Sequence, residues 1–316
     1  MGKGVNQLVA VLNGLVGDYL VRTRNGLATE MGCYHGGVQI AVDREAFARC
    51  YPRATARVVV LVHGVMCDES IWVGEDGSDY GQSLARDHGF TPIYVRYNSG
   101  LPIADSGEAL ARMLEQLVQS YPIPIDELLL LGYSMGGLLL RRACHVAHGE
   151  NHVWLSRVRR AIYVGTPHLG APAERFGRTV VDLLQAINDP YTKLISDIGA
   201  LRSAGVQDLG HAALRHEDRL RAPTLWPLAD ARHPLPLLPS LRHYLIAGSI
   251  AIDPRLGFLF GDAIVPIASA THGADPTGNP LPASHVRVLP GLSHVALAHH
   301  PDVYTQINTF LEETDG

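Results

Sequence analysis

The chain has 316 residues, enough for one large domain or two modest ones, and its 47% hydrophobic and 18% charged content gives no sign of disorder. A net charge of −5 and a pI near 6.3 argue against nucleic acid or an anionic membrane as partner. The four cysteines (Cys33, Cys50, Cys67, Cys144) form no CxxC pair and no metal-ligand spacing. A Cys33–Cys50 bridge suits an oxidising compartment, and reduced thiols packed as small hydrophobes are the plainer reading.

In chain order, Val5, Leu8, Val9, Leu12, Leu15, Val16 and Tyr19 fall at helical spacing and predict one amphipathic helix. Gln7, Asn13, Gly14 and Asp18 interrupt any signal-peptide core, which favours the cytoplasm, although a trimmed mature chain would read the same. The segment lacks the Lys/Arg-rich face of membrane-surface helices, so its apolar stripe is expected to pack on the protein body, with no stable membrane insertion. A short strand pair is expected around residues 36–42.

From Arg57 onward, short apolar runs alternate with helical patterns. Residues 58–62, 92–97, 128–131, 161–164, 244–247 and 286–289 read as strands. Helix-period residues such as Leu110, Met113, Leu114 and Leu117, or Leu138, Leu139, Ala143 and Val146, lie between them. Near-continuous hydrophobic strands separated by helices predict an α/β fold, a mostly parallel sheet with helices on both faces. Ligands in such folds bind beyond the carboxyl ends of the strands. Residues 171–240 interrupt this alternation and are too long for an ordinary loop. Phe176, Val180, Leu183, Leu184 and Ile187 form one apolar stripe in it, and Tyr191, Leu194, Ile195, Ile198 and Leu201 another. A helical lid over the catalytic edge is expected there, with a structural excursion to one side as the alternative. The domain organisation is then an extension over 1–52, a core over 53–170 and 241–316, and a lid over 171–240.

Gly132-Tyr133-Ser134-Met135-Gly136 matches G-x-S-x-G, a pattern that arises by chance about 0.1 times in a chain of this size. Its setting gives it weight. A strand precedes it, a helix follows, and Gly132, Gly136 and Gly137 permit the sharp turn that exposes a nucleophile. A serine hydroxyl needs a base. Of 16 histidines, His294 follows the last strand and precedes the final helix, where the base belongs in the order Ser, acid, His. His299 and His300, at the start of that helix, are read as surface or capping residues and fallback bases. Asp262 and Asp253 are the candidate acids; Asp262 is favoured because Asp253 precedes Pro254 and suits a turn. The oxyanion needs preorganised N–H donors, each worth roughly 3 kcal/mol. Met135 supplies one; the loop after residues 58–62 supplies the other, from Val65 in preference to Met66. His63 is read as holding that turn.

These stretches, together with Gly165-Thr166-Pro167-His168-Leu169-Gly170 and Gly261-Asp262-Ala263-Ile264-Val265-Pro266, occur in the order seen in bacterial lipases and esterases of the α/β-hydrolase superfamily. Residues 166–170 resemble especially the lipase branch that includes PGAP1-like proteins. The resemblance spans residues 55–312. It implies an α/β-hydrolase fold with an inserted lid, and ester hydrolysis through an acyl-enzyme on Ser134 with Asp262 and His294. It implies no cofactor and gives no basis for a metal site. The substrate expected is a small-molecule or lipid-like carboxylic ester, polyesters included. Ala263 departs from the Gly-Asp-Gly that many relatives carry. An acyltransferase using the same residues, and a non-catalytic binding protein of the same fold, are the rival readings.

Overall fold

In the computed structural model, residues 3–171, 203–219, 235–252, 261–271 and 281–313 are described. The apolar N-terminal pattern forms helix α1 (Lys3–Arg22), bent at Val16, whose φ of −138° departs from helical geometry. Strands β1 (Gly32–His35) and β2 (Val38–Ile40) follow, joined at Gly36 and Gly37. Both glycines have positive φ, as a tight hairpin turn requires, so the strand pair expected around residues 36–42 lies at 32–40, with the first expected residue in its turn. Helix α2 (Arg44–Cys50) starts at Asp43, whose carboxylate accepts from the Ala46 N–H.

The alternating region folds as strand β3 (Arg57–Val62), helix α3 (Tyr80–His88), β4 (Thr91–Arg96), α4 (Ile103–Ser120), β5 (Glu127–Tyr133), α5 (Met135–Glu150) and β6 (Val158–Val164). After the short helix α6 (Ala204–His211) come β7 (Arg242–Ser249), α7 (Ile267–Thr271), β8 (Val286–Pro290) and α8 (Pro301–Glu312). The sheet runs β2-β1-β4-β3-β5-β6-β7-β8. From β4 to β8 every neighbouring pair is parallel, and β1 joins antiparallel to both β2 and β4.

Strand alternation divides the core into two layers. Val58, Val60, Val62, Leu128 and Leu130 pack with Leu110, Leu114 and Leu138 of α4 and α5 and with Val11 and Leu15 of α1. Val59, Leu61, Leu129 and Leu131 face the other way, onto Tyr80 and Leu84 of α3 and Ile307 and Phe310 of α8. The valines and leucines of β3 and β5 are fully buried on both faces, worth roughly 1.5–3 kcal/mol apiece. This leaves the loops at the carboxyl ends of β3, β5, β6, β7 and β8 as the edge on which chemistry can be built. The four cysteines are free thiols. None of the described helices is long and apolar enough to cross a membrane.

Candidate active site

The turn between β5 and α5 puts Ser134 at φ 53°, ψ −125°, a strained conformation for a residue with a side chain. Its N–H donates to the Val164 carbonyl on β6 at 2.8 Å, which anchors the turn to the sheet. Gly136 lies so close to β3 that a Cβ there would stand 2.2 Å from the Val62 carbonyl oxygen. Any larger residue would push the serine out of place.

His294 lies in the loop after β8 and Asp262 in the loop after β7. His294 Nε2 is 2.9 Å from Ser134 Oγ, and His294 Nδ1 is 2.7 Å from Asp262 Oδ2. All three side chains are buried. The other carboxylate oxygen, Oδ1, accepts the N–H groups of Ile264 at 3.0 Å and Val265 at 2.7 Å. The His294 N–H donates to the Asp262 carbonyl at 2.9 Å. With Oδ1 so engaged, Oδ2 accepts from His294 Nδ1–H, which leaves Nε2 as the acceptor for the serine proton. The tight turn behind Asp262 places Gly261 at φ 58° and Ala263 at φ 84°.

The loop after β3 abuts this elbow: a Cβ on Gly64 would stand 3.0 Å from Ser134 Cβ. Among the described residues, the N–H groups of Val65 and Met135 have no acceptor. That of Met66 donates to Ser99 Oγ at 2.9 Å and is already engaged. His63 is fully buried; its Nε2 accepts the Tyr97 N–H at 3.4 Å, so its Nδ1 carries the proton and donates to the Gly64 carbonyl at 2.7 Å. Its ring stacks on Tyr97, and burial lowers its pKa from the ordinary value. Farther along the loop, Glu69 pairs with Arg96 of β4 at 2.7 Å, and the Arg96 guanidinium lies over the Tyr34 ring.

His168 is buried and accepts from Arg141 at Nδ1 (3.1 Å); burial first, then Arg141, hold its pKa well below the usual histidine value. His300 accepts the Asp302 N–H at 3.2 Å and caps α8. Neither His299 nor His300 has a bond to Ser134. Asp253 and the apolar stripes between 176 and 201 lie outside the described residues. Among the described residues no group of three His, Cys, Asp or Glu side chains is spaced to hold a metal ion.

Several residues around the site carry no sequence signal. The Tyr133 hydroxyl donates to the His294 carbonyl at 3.1 Å, and the Tyr80 hydroxyl lies 3.1 and 2.8 Å from the carbonyls of Leu297 and His300. Gly165 backs the imidazole: a Cβ there would stand 3.1 Å from His294 Cε1. Only Tyr133, inside the G-x-S-x-G run, and Gly165, at the head of the 165–170 stretch, could have drawn attention by position.

No family model matches the chain, and no curated protein is similar to it. Solved structures are. A Bacillus licheniformis lipase in its propeptide form superposes with a TM-score of 0.51 at 18% identity, over 83% of this chain and 51% of that one. The chain thus spans about half the length of that structure. The mature form of the same lipase gives a TM-score of 0.49 at 18% identity, covering 81% of this chain and 90% of that one. Esterase B from Lactobacillus rhamnosis gives 0.46 at 14% identity, covering 98% and 95%. With its parallel β4–β8 sheet, helices on both faces and a serine on the turn after β5, the chain has the α/β-hydrolase fold.

Proposed function

We propose that the chain is a serine carboxylesterase or lipase that hydrolyses lipophilic carboxylic esters, polyesters among them, through an acyl-enzyme on Ser134. The observation that carries this reading is the buried, continuous line of hydrogen bonds from Ser134 Oγ through His294 to Asp262, at 2.9 and 2.7 Å. In that arrangement Ser134 Oγ attacks the ester carbonyl carbon while His294 Nε2 takes its proton. The carbonyl oxygen becomes an oxyanion, for which the free N–H groups of Val65 and Met135 are the donors. The intermediate collapses, the C–O bond to the alcohol breaks, and His294 returns the proton to the leaving oxygen. Water then attacks the acyl-enzyme by the same route, giving the acid and free Ser134. Asp262 holds the imidazole in its tautomer and stabilises the imidazolium.

Within the fold, the 166–170 motif supports assignment to the PGAP1-like lipase branch. The apolar stripes between 176 and 201 support a lid over 171–240, between the core segments 53–170 and 241–316, and a hydrophobic acyl group as substrate. The test is hydrolysis of p-nitrophenyl esters from acetate to palmitate, beside Ser134→Ala. Turnover abolished in the variant is expected. A maximum at short chains assigns an esterase, one at long chains a lipase, and equal turnover in Ser134→Ala sinks the mechanism.

A further inference from the structure

The N-terminal helix lies outside the resemblance, yet it packs directly on the loop that carries the proposed oxyanion donor. A Cβ on Gly14 would stand 2.3 Å from Met66 Cγ, 3.0 Å from Met66 Cα and 3.1 Å from Met66 N. One turn on, a Cβ at Gly17 would collide with the Asn98 side chain, whose Nδ2 donates to the Gly17 carbonyl at 3.1 Å. Asn98 Oδ1 accepts the Gly100 N–H at 3.0 Å and so shapes the loop that presents Ser99. Gly100 in turn touches the helix, since a Cβ there would stand 2.1 Å from the Asn13 carbonyl oxygen. Side-chain-free positions at Gly14 and Gly17 let α1 press its backbone on both loops at once.

What it presses on is a strained peptide. Met66 sits at φ 60°, in the left-handed region that residues with a Cβ rarely adopt. The peptide joining Val65 to Met66 is held at both ends: its N–H donates to the buried Ser99 Oγ at 2.9 Å, and its carbonyl accepts the Cys67 thiol at 3.3 Å. That peptide adjoins the one bearing the unengaged Val65 N–H. Fixing the first limits the rotation of the second, and a strained turn persists only where its surroundings over-determine it.

We propose that Ser99 is a positioning residue for the oxyanion hole, with α1, through Gly14 and Gly17, as the clamp that keeps the Ser99 loop and Met66 in register. This rests on the ester-hydrolase reading. Ser99 acts through the Met66 N–H and touches no reacting atom. Its removal frees the Val65 donor to drift, which weakens stabilisation of the charged intermediate and leaves ground-state binding in place.

The experiment compares the full chain with Ser99→Ala and Gly14→Ala on p-nitrophenyl butyrate and its thiono (C=S) counterpart, with Ser134→Ala as control and thermal melting to establish folding. A thiolate forming on sulfur draws less from N–H donors than an oxyanion does. Expected is a roughly 10- to 100-fold fall in kcat on the oxoester with KM within about twofold, and a much smaller fall on the thionoester. Gly14→Ala moves the same ratio in the same direction, because its crowding falls first on the Met66 side chain and then on its Cα and N; it decides the matter if Ser99→Ala does not fold. Wild-type kcat in the folded variants, or a parallel fall on both substrates, overturns the brace alone. An inactive wild type, or a fully active Ser134→Ala, overturns the ester-hydrolase reading and the brace with it.

Discussion

Tyr133 and His294 are joined twice: the phenol hydroxyl donates to the His294 carbonyl at 3.1 Å, and the two rings sit 5.1 Å apart. The residue just before the proposed nucleophile thus fixes the backbone of its proposed base. Tyr133→Phe keeps the ring and removes one of the two donors to this carbonyl, the Leu297 N–H at 3.2 Å being the other, at a cost of about 0.5–1.5 kcal/mol. We expect a lower melting temperature and a kcat reduced by about tenfold, with KM unchanged, since a misplaced base costs rate before it costs binding. Steady-state kinetics with a thermal melt check this; wild-type values in both refute it.

His63 and Val65 meet at one peptide unit. The Gly64 carbonyl that accepts from His63 Nδ1 is in the same amide as the Val65 N–H, and a trans amide points the two in opposite directions. The histidine therefore aims and polarises the proposed donor from behind. His63→Phe preserves stacking on Tyr97 while deleting the hydrogen bond. The expected result is a kcat lower by roughly 10- to 100-fold with little change in KM. A variant that folds and turns over at the wild-type rate disposes of the role.

How much of this could be read from sequence follows the physics of each element. Strand β5 declares itself because Leu128 to Leu131 are buried on both faces and no polar residue interrupts them. The starts of β6 and β7 do not. Arg160 pairs with Glu127 and donates to the carbonyls of α8, and buried His243 meets Tyr163, so polar residues occupy strand positions by finding partners. Ser134, His294 and Asp262 could be singled out because each sits at a turn with its own local signature, and the fold brings them within hydrogen-bonding reach. Ser99 and Tyr80 could not. Their importance lies in contacts 33 and 217 residues away, which leave no mark on local periodicity.

Ala263 stands where the turn asks for glycine. Its φ of 84° is unfavourable for any residue with a Cβ, and the side chain is exposed, so nothing offsets the strain. Ala263→Gly relieves it, partly countered by the greater freedom of glycine in the unfolded chain. A net gain of about 1 kcal/mol is expected, read as a higher urea midpoint with the slope and the proposed esterase activity unchanged. A loss of stability would show that the turn relaxes at no cost.

Asp262→Asn tests the acid by hydrogen-bond arithmetic. Oδ1 is committed to the N–H groups of Ile264 and Val265, so the asparagine oxygen must stay there and its amide must face His294 Nδ1. Two donors cannot face each other, and the ring is driven into the tautomer with its proton on Nε2, unable to accept from Ser134. We expect kcat to fall by about 10⁴ in a folded protein. A loss smaller than tenfold would move the acid elsewhere, Asp253 being the alternative.

Acid should destabilise the protein through histidines buried as neutral rings. His243 donates from Nε2 to the Leu238 carbonyl and accepts the Tyr163 hydroxyl at Nδ1; burial, with Arg141, His145 and His285 nearby, pushes its pKa from 6.5 down to about 4. Burial lowers His168 and His145 in the same direction. Between these values the unfolded chain binds more protons than the folded one, so stability rises with pH across this window. The contribution of His243 is complete above pH 6.5, erodes as pH falls below it, and is gone under about 4, a difference of about 3 kcal/mol. Urea unfolding at intervals from pH 7 to 5 should therefore show a falling midpoint. His243→Gln should remove about 1 kcal/mol per pH unit from that slope, whereas parallel slopes in the two proteins would mean that His243 titrates alike in both states.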